Sequence, residues 1–236
     1  MDDLMPSPCY IPREFLALGQ ELPNFSRAMS GSDTVRIVAV GSSSTEGHGA
    51  SRRDASYPAR LAVGLAARFP DRKFDVVNAG VGGQEAPDEA ARFKNDVLSK
   101  NPSLVVWQLG TNAAWKDYFL DDVQAAVFRG CDRLRGCKTD LILMDLQYAP
   151  ALLDEKERPK PNTGRMLELI AAAAAKENIG LFRRYEIMKY CHTVGGITFE
   201  QMISNSDGNW LHQNDWSYNC IAEVLCEAIV EGAGLG

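Results

Sequence analysis

Four hydroxyl residues, Ser42, Ser43, Ser44 and Thr45, stand between Gly41 and Gly47, directly after the apolar run Val35 to Val40. Such a run ending at a glycine predicts a buried strand that delivers a polar turn. Ligands bind outside the carboxyl ends of strands in open α/β sheets, so a serine there is a candidate nucleophile. Serine and threonine are also the usual helix N-caps, and the cluster by itself leaves both readings open. A nucleophilic serine needs a base and donors for an oxyanion. The chain has three histidines, His48, His192 and His212, and two other strand ends of suitable composition. One is Asn78-Ala79-Gly80-Val81-Gly82-Gly83, whose glycines suggest backbone brought close to something; the other is Gly110-Thr111-Asn112.

The elements that must position these residues follow from periodicity. Tyr57 to Phe69 places Leu61, Leu65 and Phe69 at helical spacing with Pro58 in the first turn, and Phe74 to Val77 reads as a strand. Ala86 to Leu98 reads as one helix, closed by Asn101-Pro102. Ser103 to Leu109 and Asp140 to Leu146 read as strands, and 178–182 as a short fifth one. Leu120 to Leu134, Thr163 to Lys176 and Asp215 to Glu231 read as helices, while residues 186–211 show no clear period and read as a long loop. Strand and helix alternate five times. With right-handed crossovers that predicts an α/β fold, a flavodoxin-like three-layer sandwich with a five-stranded parallel sheet. Residues 1–32, rich in proline and polar residues with one amphipathic stretch from Pro12 to Gln20, are expected to form an N-terminal arm packed on a domain spanning 33–236.

The composition excludes several classes. A formal net charge of −6 without a dense Lys/Arg run leaves no electrostatic footprint for nucleic acid. No stretch approaches the ~18 consecutive apolar residues of a transmembrane helix. The spacing G-x-G-x-x-G of a dinucleotide site, the Walker pattern and the G-x-S-x-G nucleophile elbow are absent. The six cysteines form no C-x-x-C pair and do not cluster with histidine along the chain, which argues against zinc and leaves disulfide pairing unassigned.

Four blocks carry a family resemblance: GSSST at 41–45, NAGVGG at 78–83, GTN at 110–112 and a histidine before the last helix in LHQND at 211–215. Together and in this order they resemble the SGNH hydrolases, also called the GDSL lipase/esterase family, over residues 35–230. The resemblance implies that Ser43 is the nucleophile and His212 the general base. The oxyanion donors would be the N–H groups of Ser43 and Gly83 and the side-chain amide of Asn112. It implies a serine esterase acting through an acyl-serine intermediate on a small-molecule or carbohydrate ester, with no metal or organic cofactor. A carbohydrate O-acetylesterase and a non-catalytic binding module of the same fold are the alternatives.

The sequence departs from the family twice. Ser42 replaces the aspartate of G-D-S, and Asn209 stands where the family has aspartate three residues before the histidine, with Asp207 two residues earlier. Either Asp207 reaches the His212 ring, or Asn209 occupies the position and orients it. An amide cannot stabilise imidazolium as a carboxylate does, which favours Asp207. Ser44 and Thr45 are left as expected caps. Trp115, Tyr118 and Trp210 are candidate walls of an acyl or sugar pocket, and Trp107 is expected in the core. The cysteines and proline-rich arm favour a periplasmic or secreted protein whose signal peptide is missing from this sequence, with the cytoplasm as the alternative.

Overall fold

The parallel sheet rests on five short runs, β1 Val35–Gly41, β2 Phe74–Gly80, β3 Leu104–Gln108, β4 Asp140–Met144 and β5 Gly180–Phe182. A computed structural model describes residues 9–116 and 118–236 of the chain. The strands pair in the order β2-β1-β3-β4-β5, and every ladder is parallel. β3 and β4 are buried along their whole length, and β1 everywhere except Arg36, as suits strands covered on both faces. Trp107 lies in this core, in register with Val40 on one side and Leu143 on the other.

Eleven helical segments join and cover the strands among the described residues: α1 Pro23–Met29, α2 Ser43–Glu46, α3 Tyr57–Arg68, α4 Ala86–Ala91, α5 Phe93–Asp96, α6 Thr111–Trp115, α7 Leu120–Leu134, α8 Pro161–Glu177, α9 Arg184–Thr193, α10 Phe199–Met202 and α11 Asp215–Gly232. α3 packs against α11, while α7 packs against α4 and α8. The chain leaves β1 for β2 on one side and β3 for β4 on the other, so right-handed crossovers put these two helix groups on opposite faces. The strand order reverses between β1 and β3, and the crevice at that switch point receives the turns after both strands. No helix among the described residues is long and apolar enough to cross a membrane.

The segment from residue 9 to 32 forms a single 3-10 turn, Arg13–Leu16, and then α1. Leu18, Leu22 and Phe25 are buried, the Leu22 N–H donates to the Gly232 carbonyl, and the Phe25 N–H donates to Asp140 Oδ2 at 2.8 Å. A disulfide between Cys9 and Cys220 ties its start to α11. Residues 1–8 of the expected arm lie outside the described residues.

Two elements differ from the sequence reading. The helix expected over Ala86 to Leu98 is broken: α4 ends at Arg92, whose φ and ψ of −94° and 1° leave the helical well, and a separate turn α5 follows. There the Arg92 guanidinium reaches the Gly41 carbonyl and Gln84 Oε1, contacts with β1 and the loop before α4 that periodicity along one helix does not contain. The loop expected over 186–211 instead contains the end of α9 and all of α10. The buried face of α9 includes Arg184 and Tyr185 with Ile187, Met188 and Cys191, and a charged residue on the inner face hid the apolar period.

Candidate active site

Ser43 is the first residue of α2, placed there by β1 and by Gly41, which has no room for a side chain against Thr45 and Gln108. Gln108, the last residue of β3, fixes the turn: its Oε1 accepts from the Ser42 N–H, the Ser42 hydroxyl and the Thr45 hydroxyl, each at 3.2 Å. The Ser44 hydroxyl donates to Gln147 Oε1 at 3.3 Å. Ser44 and Thr45 are therefore not helix caps, contrary to the sequence reading. α2 has no side-chain cap, and both hydroxyls instead bind buried glutamine oxygens.

His212 arrives from the far end of the chain, between α10 and α11. The Ser204 N–H donates to the His212 carbonyl at 2.8 Å, Gln147 Nε2 donates to the Leu211 carbonyl, and Asn214 caps α11 through the Ser217 N–H. The buried Arg184 guanidinium anchors this region by donating to Gln147 Oε1, Gln213 Oε1 and the Asp145 carbonyl. Four segments distant in sequence are thereby locked to one another.

Within that frame Ser43 Oγ lies 3.0 Å from His212 Nε2, and His212 Nδ1 lies 3.1 Å from Asp207 Oδ2. Asn209 does not contact the ring; its backbone N–H donates to Asp207 Oδ1 at 3.0 Å. Of the two candidates for the third position, Asp207 is thus the one facing the imidazole. The intervening Gly208 adopts φ 71°, and Trp210 is left-handed at φ 52°. That tight winding lets a carboxylate five residues before the histidine reach it. Burial, the His48 charge second, draws the His212 pKa below the usual histidine value, against the pull of Asp207. For Asp207, partial burial pushes upward, but the Asn209 N–H and side chain and His212 prevail and hold the carboxyl below its usual value. This combination is a neutral base backed by an ionised carboxylate.

On the other side of Ser43 lies the glycine cluster. A Cβ on Gly82 would sit 3.9 Å from Ser43 Cβ, and Gly83 has φ 81°, a left-handed conformation suited to glycine. Asn112 Nδ2 donates one hydrogen to the Gln84 carbonyl at 2.8 Å, which orients the amide beside this turn. Beneath both turns sits buried Glu85. Its Oε1 accepts from the Ala86 and Gly110 N–H groups and its Oε2 from the Ala113 N–H, binding the Gly83–Gln84 turn to the Gly110-Thr111-Asn112 turn. Burial pushes the Glu85 pKa up and these N–H groups pull it down, with a net rise.

Of the residues singled out from sequence, Ser43, His212 and Asp207 are joined directly, Asn209 bonds to Asp207, and Asn112 bonds to the turn that holds Gly83. Gln108, Gln147, Glu85 and Arg184 were missed. Three of them left a trace in the sequence: a polar residue closing an apolar strand (Gln108), one just past another strand (Gln147), and an acid two residues after the glycine cluster (Glu85). His48 lies close by, its Nε2 3.4 Å from Asp207 Oδ2. His192 lies elsewhere, stacked on Phe199 and bonded to the Ile197 carbonyl. His48, Asp207 and His212 converge at this site, and elsewhere Cys191 lies beside the Cys9–Cys220 disulfide, its Sγ 3.5 Å from that of Cys9. Of the candidate pocket walls, Trp115 is 37% exposed and Trp210 partly buried.

A model of the non-GDSL lipase-like family matches residues 8–235. The chain is 32% identical over 118 residues to an acetylxylan esterase of Geobacillus stearothermophilus, covering 45% of this chain and 54% of that protein. Its fold is similar to that of a two-domain esterase active on acetylated mannans, co-crystallised with mannopentaose, at TM-score 0.72 and 18% identity, covering 95% of this chain and 58% of the other. It is also similar to a catalytic mutant of an acetylxylan esterase from Geobacillus stearothermophilus, at TM-score 0.65 and 17% identity, covering 87% and 98% of the two chains. Catalytic mutants of that enzyme replace a serine or a histidine with alanine. The chain spans little more than half the length of the first two proteins.

Proposed function

Because the chain belongs to the non-GDSL lipase-like family, we propose that it is a serine esterase and that its substrates are acetylated carbohydrates. The observation that carries this reading is the continuous path Ser43 Oγ, His212 Nε2, His212 Nδ1, Asp207 Oδ2, with links of 3.0 and 3.1 Å. A serine hydroxyl is a weak nucleophile until a base takes its proton, and a neutral imidazole at hydrogen-bond distance is such a base.

Ser43 Oγ attacks the ester carbonyl carbon while its proton passes to His212 Nε2. Asp207 stabilises the resulting imidazolium and holds the tautomer that leaves Nε2 free to accept. The carbonyl oxygen, now an oxyanion, takes hydrogen bonds from the Ser43 and Gly83 N–H groups and from the second Asn112 amide hydrogen, the first being held by the Gln84 carbonyl. Collapse of the tetrahedral species breaks the bond to the alcohol oxygen, which leaves with the proton from His212. Water then attacks acyl-Ser43, giving its proton to His212, and acetate departs as Ser43 regains its hydrogen.

Two considerations support the carbohydrate ester: the local identity to an acetylxylan esterase, and the fold shared with an esterase active on acetylated mannans. At Ser42, where the family has aspartate, the turn is held by three hydrogen bonds to Gln108 Oε1. A fluorophosphonate probe is expected to label the wild type and not Ser43→Ala. Rates are expected to fall from acetyl to octanoyl esters, with acetate released from acetylated xylan or mannan. A wild type that takes no label would leave a binding module of the same fold as the better description.

A further inference from the structure

His48 sits between two glycines, Gly47 at φ 104° and Gly49 at φ 88°, both left-handed. That conformation is open to glycine and strained for other residues. A Cβ at Gly49 would also collide with the Gln213 carbonyl and press on His212 Cβ at 3.0 Å, so the backbone of this loop lies directly against the His212 loop. From α11 the Tyr218 hydroxyl donates to the His48 carbonyl at 2.7 Å. The main chain is thus fixed from two directions, and the imidazole it carries lies over the catalytic groups. The His48 and His212 ring centroids are 4.2 Å apart, and His48 Nε2 lies 3.4 Å from Asp207 Oδ2, the oxygen that also faces His212 Nδ1.

We propose that His48 is a positioning residue for ester hydrolysis: its Nε2–H holds the Asp207 carboxylate on His212, and its charge, when protonated, opposes protonation of the base. This rests on the roles given above to Ser43, His212 and Asp207. The Asp207 side chain is 23% exposed and projects from a turn, so water competes for its oxygens. Oδ1 is held by the Asn209 N–H, and His48 Nε2 stands at ion-pair distance, 3.4 Å, from Oδ2. The groups around His48 are Asp207 and His212 from the α10–α11 loop, Tyr218 from α11, Asp215 from α11 through its bonds to Ser51, and Glu46 on its own segment. Among the described residues only Asp207 pairs with its ring as an ion. A positive His48 so close to His212 disfavours a second positive charge, in line with the lowered His212 pKa, where burial comes first and His48 next.

Two variants separate the two effects. His48→Gln keeps an N–H donor and never charges, whereas His48→Ala removes donor and charge together. The measurement is kcat/KM for an acetyl ester across the acid limb and the plateau. In His48→Ala the plateau falls roughly 5-fold, mostly in kcat, as expected for loss of one partly exposed ion-pair contact to a carboxylate. His48→Gln recovers most of that loss. In both variants the acid limb moves to higher pH by about 0.7 of a unit or more, since one charge at 4.2 Å is worth that much even at the dielectric of water. The position of the limb does not depend on how much of a variant is folded, so it reports even for a poorly folding alanine protein. A limb unmoved in both variants, or an alanine plateau equal to wild type, overturns the role of His48. Failure of the wild type to take a fluorophosphonate label at Ser43 would instead overturn the function on which it rests.

Discussion

Replacing Glu85 by glutamine takes one acceptor out of the joint between the two turns proposed to carry the oxyanion donors. Glu85 Oε1 accepts from Ala86 at 3.0 Å and Gly110 at 2.9 Å, and Oε2 accepts from Ala113 at 2.8 Å. An amide has one oxygen, which best serves the pair at Ala86 and Gly110, so its NH2 group then faces the Ala113 N–H. Two buried donors go unpaired at about 1–3 kcal/mol each. Burying an amide costs less than burying a carboxylate, whose pKa burial already raises, and this offsets part of the loss. A net destabilisation of about 2–4 kcal/mol remains, or roughly 5–15 °C in Tm for a domain of this size. Gly110 and Ala113 bracket Thr111 and Asn112, so the Asn112 amide shifts with them. Full loss of one oxyanion donor costs ~10²–10³ in kcat, and displacement without loss is expected to cost roughly 10–100-fold, with KM changed less. Thermal unfolding and steady-state kinetics on an acetyl ester read both effects. A Glu85→Gln protein with wild-type Tm and kcat would refute the reasoning, because the site would then be holding a neutral acid whose O–H an amide can replace.

Asp207→Ala is expected to lower kcat by ~10²–10⁴, since it removes the partner of the imidazolium, while Asn209→Ala costs under ~10-fold because its backbone N–H survives; few-fold losses in both would leave a Ser43–His212 dyad. Buried Glu89 accepts from the Trp107 Nε1–H through Oε2 at 2.7 Å, its Oε1 has no partner among the described residues, and its pKa is pushed well up by burial and then by Glu85. A carboxyl with a raised folded pKa contributes most below its unfolded value of ~4.3 and loses that contribution as pH rises, so Glu89→Gln is expected to match wild type in acid and exceed it in stability above neutrality. Denaturant titrations at the two pH values check this, and parallel pH profiles would contradict it. The Cys9–Cys220 disulfide closes a span of 211 residues, so Cys220→Ser or reduction is expected to lower stability by about 5 kcal/mol or slightly more on the chain-entropy account. Substitution of exposed Cys137 serves as the control in the same melting experiment.

Local pattern carried much of the architecture. Apolar runs such as Val35–Val40 and Ser103–Leu109 end at glycines or polar turns, and periodic stretches such as Leu120–Leu134 form helices with the same bounds in the structure. Local pattern failed where tertiary contacts override it. Arg92 breaks a helix to reach β1 and the preceding loop, and Arg184 occupies the inner face of α9 because Gln147, Gln213 and the Asp145 carbonyl receive its hydrogens there. Capping was assigned to Ser44 and Thr45 from residue type alone, although buried glutamines from β3 and the segment after β4 take their hydroxyls.

The sequence by itself determined which residues end each strand, since strand periodicity and glycine punctuation are local properties, and so it placed Ser43, Gly83 and Asn112 at one rim. What joins them across the chain is set by distance in space, which sequence spacing does not encode. Only the tertiary structure decided that the turn at Gly208 brings Asp207 to His212 and leaves Asn209 outside, that His48 shares the same carboxylate, and that Cys9 pairs with Cys220. The physical reason is common to all three. Each depends on loop backbone bent through left-handed conformations or on segments more than 150 residues apart, packed together by the sheet that separates them in sequence.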